Sequence, residues 1–305
     1  MTDNSRAIKV IVVCITLAAL LAWAGSEGSV PWLGVPLFAV CVFIAFVMQW
    51  IGFVPSYLNQ TEHFYDLTGS LTYLSIIIFV LLVRDGLDAR SQLLAAMVMI
   101  WAARLGSFLF MRITKDGSDH RFDEIKPDPV RFFAVWTLQG LWVSITAAAA
   151  LAAMLATDSQ PLGWFAMVGI ALWLLGFSLE VIADRQKRVF RATRAQTGHQ
   201  FIHTGLWAYS RHPNYFGEIV LWIGVSLIAW PVLSGWGYAT LISPLFVTLL
   251  LTRVSGIPTL EQSADRKFEG NHLYDAYKAQ TPVLVPRLTK PAVLQESQVT
   301  GQEPA

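Results

Sequence analysis

The chain has 305 residues, 54% of them hydrophobic and only 14% charged, with a net charge of +1. A mean hydropathy of +0.50, with twelve Trp and eighteen Phe, sets it apart from soluble domains, in which about a quarter of residues are charged. The near-zero charge gives no general attraction to nucleic acid, and two cysteines inside apolar runs, Cys14 and Cys41, make neither a disulfide framework nor a thiolate metal site. What remains is an integral membrane protein.

A spanning helix needs about 20 mostly apolar residues. Eight runs qualify: 8–25, 31–53, 66–84, 91–112, 131–156, 162–183, 216–231 and 236–252. The first follows Arg6 and Lys9 and ends in "AWAGS". That is leader-like, but further spans follow at once, so it is read as a span. The last two runs are short and separated by "PVLSG". They are read as two tilted spans or as one re-entrant pair. The fold class is therefore all-α, a polytopic membrane helix bundle. Residues 1–290 are expected to form a single membrane domain, and 291–305 a polar, disordered tail. No internal repeat and no obligate protein partner is evident.

Loop Lys and Arg set orientation. With eight spans, one side collects Arg6, Lys9, Arg112, Lys115, Arg121, Lys126, Arg131 and the segment from Arg185 to Arg211. The other side holds little beyond Arg84 and Arg90. Both termini, and the basic segment 185–213, are therefore expected in the cytoplasm.

In chain order, the first polar constellation is "NQTEHFYDLTGSLTYL", 59–74. Asp66 lies at the water-to-membrane transition, directly after Tyr65. It reads either as a helix cap or as a general acid, a partly desolvated carboxyl group beside a phenol. Glu62 and His63 read as solvated loop residues. Arg104 follows, with apolar sequence on both sides. A lone intramembrane Arg faces the protein interior and pairs there.

The next is "EVIADRQKRVFRATR", 180–194. Glu180, Asp184, Arg188 and Arg191 are spaced to share one helix face. Acids in a span are costly and usually functional, and Arg suits phosphate through its planar fork. Last comes "YSRHPNYFGE", 209–218. Pro213 can open a helix, with Asn214 and Glu218 four apart on one face and Arg211 and His212 just outside. Free amide groups at such a helix start favour an anion. His199, His203 and His212 make no familiar zinc pattern, so no metal is expected. There is no Gly-x-Gly-x-x-Gly and no P-loop, so any nucleotide must be held in another way.

"DRQKRVFR" followed by "TGLWAYSRHPNYFGE" resembles the bacterial members of the membrane-bound steroid 5α-reductase superfamily. The likeness runs from Tyr65 to Arg287. It implies an all-α enzyme with a seven-helix reductase core, here with one extra N-terminal helix, in a bacterial inner membrane. It also implies NADPH as cofactor and reduction of the double bond of a 3-oxo-Δ4-steroid or similar enone drawn from the bilayer. By position, Asp184, Arg191, Tyr209, Asn214 and Glu218 match cofactor-contacting residues, and Glu180 stands where animal reductases have an asparagine. Arg188, Arg211 and His212 are counted with them. Arg104 matches an arginine near the nicotinamide end. The animal enzymes place a Gln-Glu pair against the steroid carbonyl, and Tyr65-Asp66 aligns there. They also use a tyrosine where this chain has Trp101. The acid is therefore Asp66 alone, Asp66 with Tyr65, or another tyrosine such as Tyr73. Related forms of "RHPNYFGE" occur in membrane methyltransferases of the isoprenylcysteine and phospholipid types, so S-adenosylmethionine-dependent methyl transfer is the alternative. The segment "SGIPTLEQ" lacks the consecutive glutamates expected of the isoprenylcysteine enzymes.

Overall fold

The computed structural model describes residues 3–197 and 200–289, with the backbone alone for 116, 120, 196 and 197. The tail 291–305 and His199 lie outside the described residues. The protein is an all-α polytopic membrane bundle. Eight helical segments are long and apolar enough to cross a membrane: Asp3–Gly25, Leu37–Leu58, Tyr65–Val83, Ala89–Lys115, Pro129–Leu155, Trp164–Ala195, Pro213–Val232 and Gly235–Lys267. The last two are thus each long enough to span.

The largest departures from the runs read off hydropathy are in the second, sixth and eighth. The second helix starts at Leu37, because Pro31–Trp32 and Val35–Pro36 pair as a tiny hairpin. Its turn, Leu33-Gly34, has φ of 50° and 81°, the positive-φ geometry of a tight hairpin. The sixth helix runs to Thr197, since its charged end is still made of good helix formers. The eighth segment changes pitch along its length: a 3₁₀ stretch Gly235–Ile242, an α-helix Ser243–Leu249 and a π-helical turn Leu250–Val254 lead into a helix Gly256–Lys267.

We label the helices α1 (Asp3–Gly25), α2 (Leu37–Leu58), α3 (Tyr65–Val83), α4 (Ala89–Asp116), α5 (Pro129–Leu155), α6 (Trp164–Thr197), α7 (Pro213–Ala229), α8 (Ser243–Leu249), α9 (Gly256–Lys267) and α10 (His272–Gln280). The chain divides into two compact units, 1–169 with 225–243, and 170–224 with 244–305.

In the first unit α5 is the central element. Its span is 89% buried, against 28–39% for those of α1 to α4. Its inner half reads Ala147, Ala148, Ala149, Ala150, Leu151, Ala152, Ala153, all buried. Small side chains let neighbouring backbones approach closely where lipid offers no hydrophobic drive. Two arginines expected as loop charges instead close helix ends. Arg90, 1% exposed, donates to the carbonyls of Ile228, Gln160 and Pro161. Arg84 donates to the carbonyl of Ala156 at 2.8 Å, just past the end of α5. The Ile228 and Ala156 carbonyls lie at helix ends, where carbonyls lack intrahelical partners, and Gln160 and Pro161 lie in the loop before α6. Cys14 and Cys41 are buried and unbridged.

In the second unit α6 and α7 cross with backbones in contact. A Cβ on Gly176 would stand 2.4 Å from the Gly217 carbonyl oxygen, and one on Gly217 would stand 2.5 Å from the Gly176 carbonyl oxygen. Only hydrogen fits at either position. Gly176→Ala should therefore force the helices apart, at a cost of about 1–3 kcal/mol for an overpacked contact. The check is thermal unfolding of the detergent-purified variant, which should melt lower than the wild type, while Gly163→Ala, where a Cβ meets nothing within 4 Å, should not.

Candidate functional site

The glycine crossing fixes the polar residues beside it. Glu180 and Asp184 follow Gly176 at successive turns of α6, and Asn214 and Glu218 flank Gly217 on α7. Pro213 does open α7. Asn214 Nδ2 donates to Asp184 Oδ1 at 3.1 Å. Glu180, Asp184 and Glu218 are buried, at 2%, 5% and 7% exposure. Further along α6 the same stripe emerges, and Arg188 and Arg191 are exposed. So the helix brings all four residues to one side, as their spacing predicts, but sorts them into buried acids and exposed bases. The Oδ1 atom of Asn214 is buried and accepts no hydrogen bond among the described residues.

The stretch before α7 is locked from several directions. Trp207 donates from Nε1 to the Ala183 carbonyl at 3.0 Å, and Lys187 lies 4.8 Å over its ring. Gly205, with φ of 62°, passes against Gln186, whose Oε1 accepts from Leu206 N at 2.9 Å. Tyr209 packs in an aromatic cluster with Phe201, Phe268, Tyr274 and Tyr277, and its carbonyl accepts from Arg287 N at 3.0 Å. Arg211 and His212 both meet Glu261 of α9, a partner that no sequence motif marks. Burial holds the His212 imidazole below its ordinary value. Glu261 works the other way, and the Lys187 and Arg211 charges add to the lowering.

The expected acid lies in the first unit. The cap position of α3 is Phe64, and Tyr65 is the first helical residue. Asp66 is therefore not the cap but sits inside the first turn, where the helix dipole favours an acid. Its Oδ2 meets Arg112 at 3.2 Å, a partnership invisible in the sequence. Tyr65 donates its hydroxyl to the Val135 carbonyl at 3.1 Å, and its ring stands edge-on to Trp136 at 5.1 Å. Arg104 is half-buried, its guanidinium 5.4 Å over the Phe108 ring. Tyr73 and Trp101, both buried, meet edge-on at 5.2 Å.

Glu62 is not a solvated loop residue. It is buried and meets Lys126 at 2.6 Å, while its Oε1 accepts from Asp119 N at 2.7 Å. Burial opposes its charge, but the Asp119 N–H and Lys126 outweigh this and hold its carboxyl below the usual range. His63 packs on Phe64 and Phe110. The loop after α4 is thereby pinned close to the start of α3.

Residues 50–281 match the family described as a protein of unknown function, DUF1295. The chain belongs to this family. Among curated proteins it is 37% identical over 73 residues to 3-oxo-5-alpha-steroid 4-dehydrogenase 1 of Bos taurus, covering 24% of this chain and 28% of that one. It is 33% identical over 108 residues to the Delta(14)-sterol reductase of Saccharomyces cerevisiae, covering 32% and 24%. An uncharacterised protein of Schizosaccharomyces pombe is 24% identical over 164 residues, covering 45% and 48%. The chain thus spans less than half the length of each of these relatives. No solved structure matches it significantly. The comparisons bear out the resemblance to the steroid 5α-reductase family.

The His212 environment predicts an acid limb in stability. Its proton affinity is lower folded than unfolded, so the unfolded chain binds more protons once pH drops below the ordinary His value of about 6.5. Stability is then full above that pH and is lost as pH falls through the folded value. The melting temperature should drop from about pH 6.5 downward, and His212→Gln should shrink that drop. An equal drop in both proteins would show that His212 does not cause it.

Proposed function

We propose that this chain is an NADPH-dependent membrane reductase that saturates the C4–C5 double bond of 3-oxo-Δ4-steroids or similar enone lipids. The carrying observation is the polar cluster at the glycine crossing, where buried Glu180, Asp184 and Glu218 adjoin Asn214 and lead into exposed Arg188 and Arg191. The printed names of the bovine and yeast relatives, both reductases or dehydrogenases of steroid-type lipids, support the same reading.

The donor set fits a dinucleotide. Carboxylates suit its ribose hydroxyls, guanidinium groups suit its phosphates, and the buried Asn214 Oδ1, which accepts nothing among the described residues, suits an amide or hydroxyl donor. Arg188 and Arg191 would take the phosphates, and Asp184, Asn214, Glu218 and Glu180 the uncharged polar groups, with Tyr209 beside them. NADPH, when bound, supplies a hydride to the β-carbon of the enone.

The remaining work belongs to the chain. As negative charge develops on the substrate carbonyl oxygen, a preorganised donor stabilises it. Asp66 in its protonated form is that donor. Its Oδ2 accepts from Arg112, and the proton sits on Oδ1. Tyr65, its hydroxyl on the Val135 carbonyl, precedes Asp66 in the first turn of α3. Arg104 is assigned to the nicotinamide end. Solvent or a side chain protonates the α-carbon, so that hydride and proton together add two hydrogens. The cofactor enters from the cytoplasm, where both termini lie, and the lipid comes from the inner membrane.

The test is NADPH oxidation by detergent-purified protein with progesterone or testosterone, followed by mass analysis. The expected product is two mass units heavier than its substrate. Absence of oxidation together with tight S-adenosylmethionine binding would replace this reading with methyl transfer. Within the reductase reading, Asp66→Ala should lower kcat by at least about 100-fold, the scale of a lost general acid, and leave NADPH affinity intact. Asn214→Ala and Glu218→Ala should instead weaken NADPH binding. Normal steady-state turnover by Asp66→Ala would remove Asp66 as the acid.

A further inference from the structure

Glu261 is the single Glu of "SGIPTLEQ" in α9, and its two carboxylate oxygens end on the two residues that lead into α7. Oε2 is 2.9 Å from Arg211 Nη1, and Oε1 is 2.9 Å from His212 Nε2. All three side chains are largely buried. One carboxylate thus binds both neighbours at once, and no uncharged side chain of the same shape can accept from both.

Independent features aim Glu261 at this spot. The π-helical turn Leu250–Val254 resets the helix phase just before α9. At Gly256 a Cβ would stand 2.7 Å from the Tyr215 ring, so the bare glycine lets α9 close on the first turn of α7. The Tyr215 ring lies nearly parallel to that of His212, 5.6 Å away at 13°. On the far side, Arg211 N donates to the Pro282 carbonyl at 2.9 Å. Ser210 Oγ donates to the Leu284 carbonyl at 2.7 Å and accepts from His212 N at 3.2 Å. The entry to α7 is gripped by α9 and by the strand of chain after α10.

The charges around it are equally specific. Glu261 offsets Arg211, and Lys187 is the further cation whose field reaches His212. Arg211 therefore carries an internal counter-ion, which leaves phosphate neutralisation to the exposed arginines of α6.

We propose that Glu261 is a positioning residue for cofactor binding: by fixing the Arg211 guanidinium and the His212 ring together, it sets the entry to α7 and so the placement of Asn214. Glu261 acts through these neighbours and touches no reacting atom. This inference rests on the NADPH reading above.

The experiment is isothermal titration of NADPH into the full-length protein in detergent, without substrate, for the wild type and Glu261→Gln. Gln keeps the size but can hold both neighbours only if its amide donates to His212 Nε2 in the other tautomer, so Glu261→Ala, which holds neither, is titrated beside it and should show the same loss. The expected result is roughly tenfold weaker binding, with kcat at saturating NADPH unchanged in the progesterone assay. A merely structural role would instead lower the folded fraction, and with it kcat, while the protein that remains binds NADPH normally. Normal affinity in Glu261→Gln beside normal affinity in the wild type would overturn the role of Glu261 alone. A wild type that binds no NADPH would overturn the cofactor reading and this inference with it. Should Glu261→Gln fail to fold, His212→Ala, which removes the other end of the same contact, carries the test. It should show the same loss of affinity, and unchanged affinity would equally overturn the proposal.

Discussion

The contact between Gly176 and Gly217 is the constraint on which the candidate cofactor site depends. In an apolar surrounding, two helices gain little by hiding hydrophobic side chains from one another, and close backbone approach has to supply the attraction. Here each glycine faces the other's carbonyl oxygen. That approach removes any freedom to slide or rotate, so residues one turn away inherit fixed places. Asp184 and Asn214 meet because the glycines do. A polar cluster built from side chains on two helices would otherwise spread out to find water, as buried polar groups without partners are expensive.

The ionisable groups are sorted by what they can tolerate. Acids near the crossing are buried, Asp184 with the Asn214 amide on it, whereas Arg188 and Arg191 further along α6 stay in contact with solvent. In the first unit the same economy appears as paired charges. Glu62 with Lys126 sets an acid against a base where the chain leaves the apolar spans, and the Asp66 carboxyl group accepts from Arg112 close by. Such pairs are worth little on a surface, but a partly desolvated pair ties two segments together, because breaking it strands a charge. The start of α3, the end of α4 and the following loop are joined in this way.

Hydropathy was sufficient for the spans, because a window of twenty residues averages over every local irregularity. It misplaced the start of α2, where Pro31, Gly34 and Pro36 turn an apolar run into a hairpin, and it stopped α6 too early, since charge does not end a helix. Spacing correctly grouped Glu180, Asp184, Arg188 and Arg191, because a helix face is a local property. Partners from distant segments carry no such signal. Arg112 for Asp66, Lys126 for Glu62 and Glu261 for both Arg211 and His212 lie 46, 64 and 49 or 50 positions away, and only tertiary packing chooses them. A single Glu in "SGIPTLEQ" invited comparison with a doubled motif elsewhere. Its actual place is set by the π-helical turn before it, which leaves no periodicity to read.

Arg90 has a consequence for how the protein is made. Its guanidinium is spent on backbone carbonyls at 160 and 161 and on that of Ile228, 138 positions later. Chains are synthesised from the N-terminus, so Arg90 is in place long before its last acceptor exists. Two of its three acceptors come with the loop before α6, and the third comes only with α7, so the full set of bonds on this buried cation closes late in synthesis.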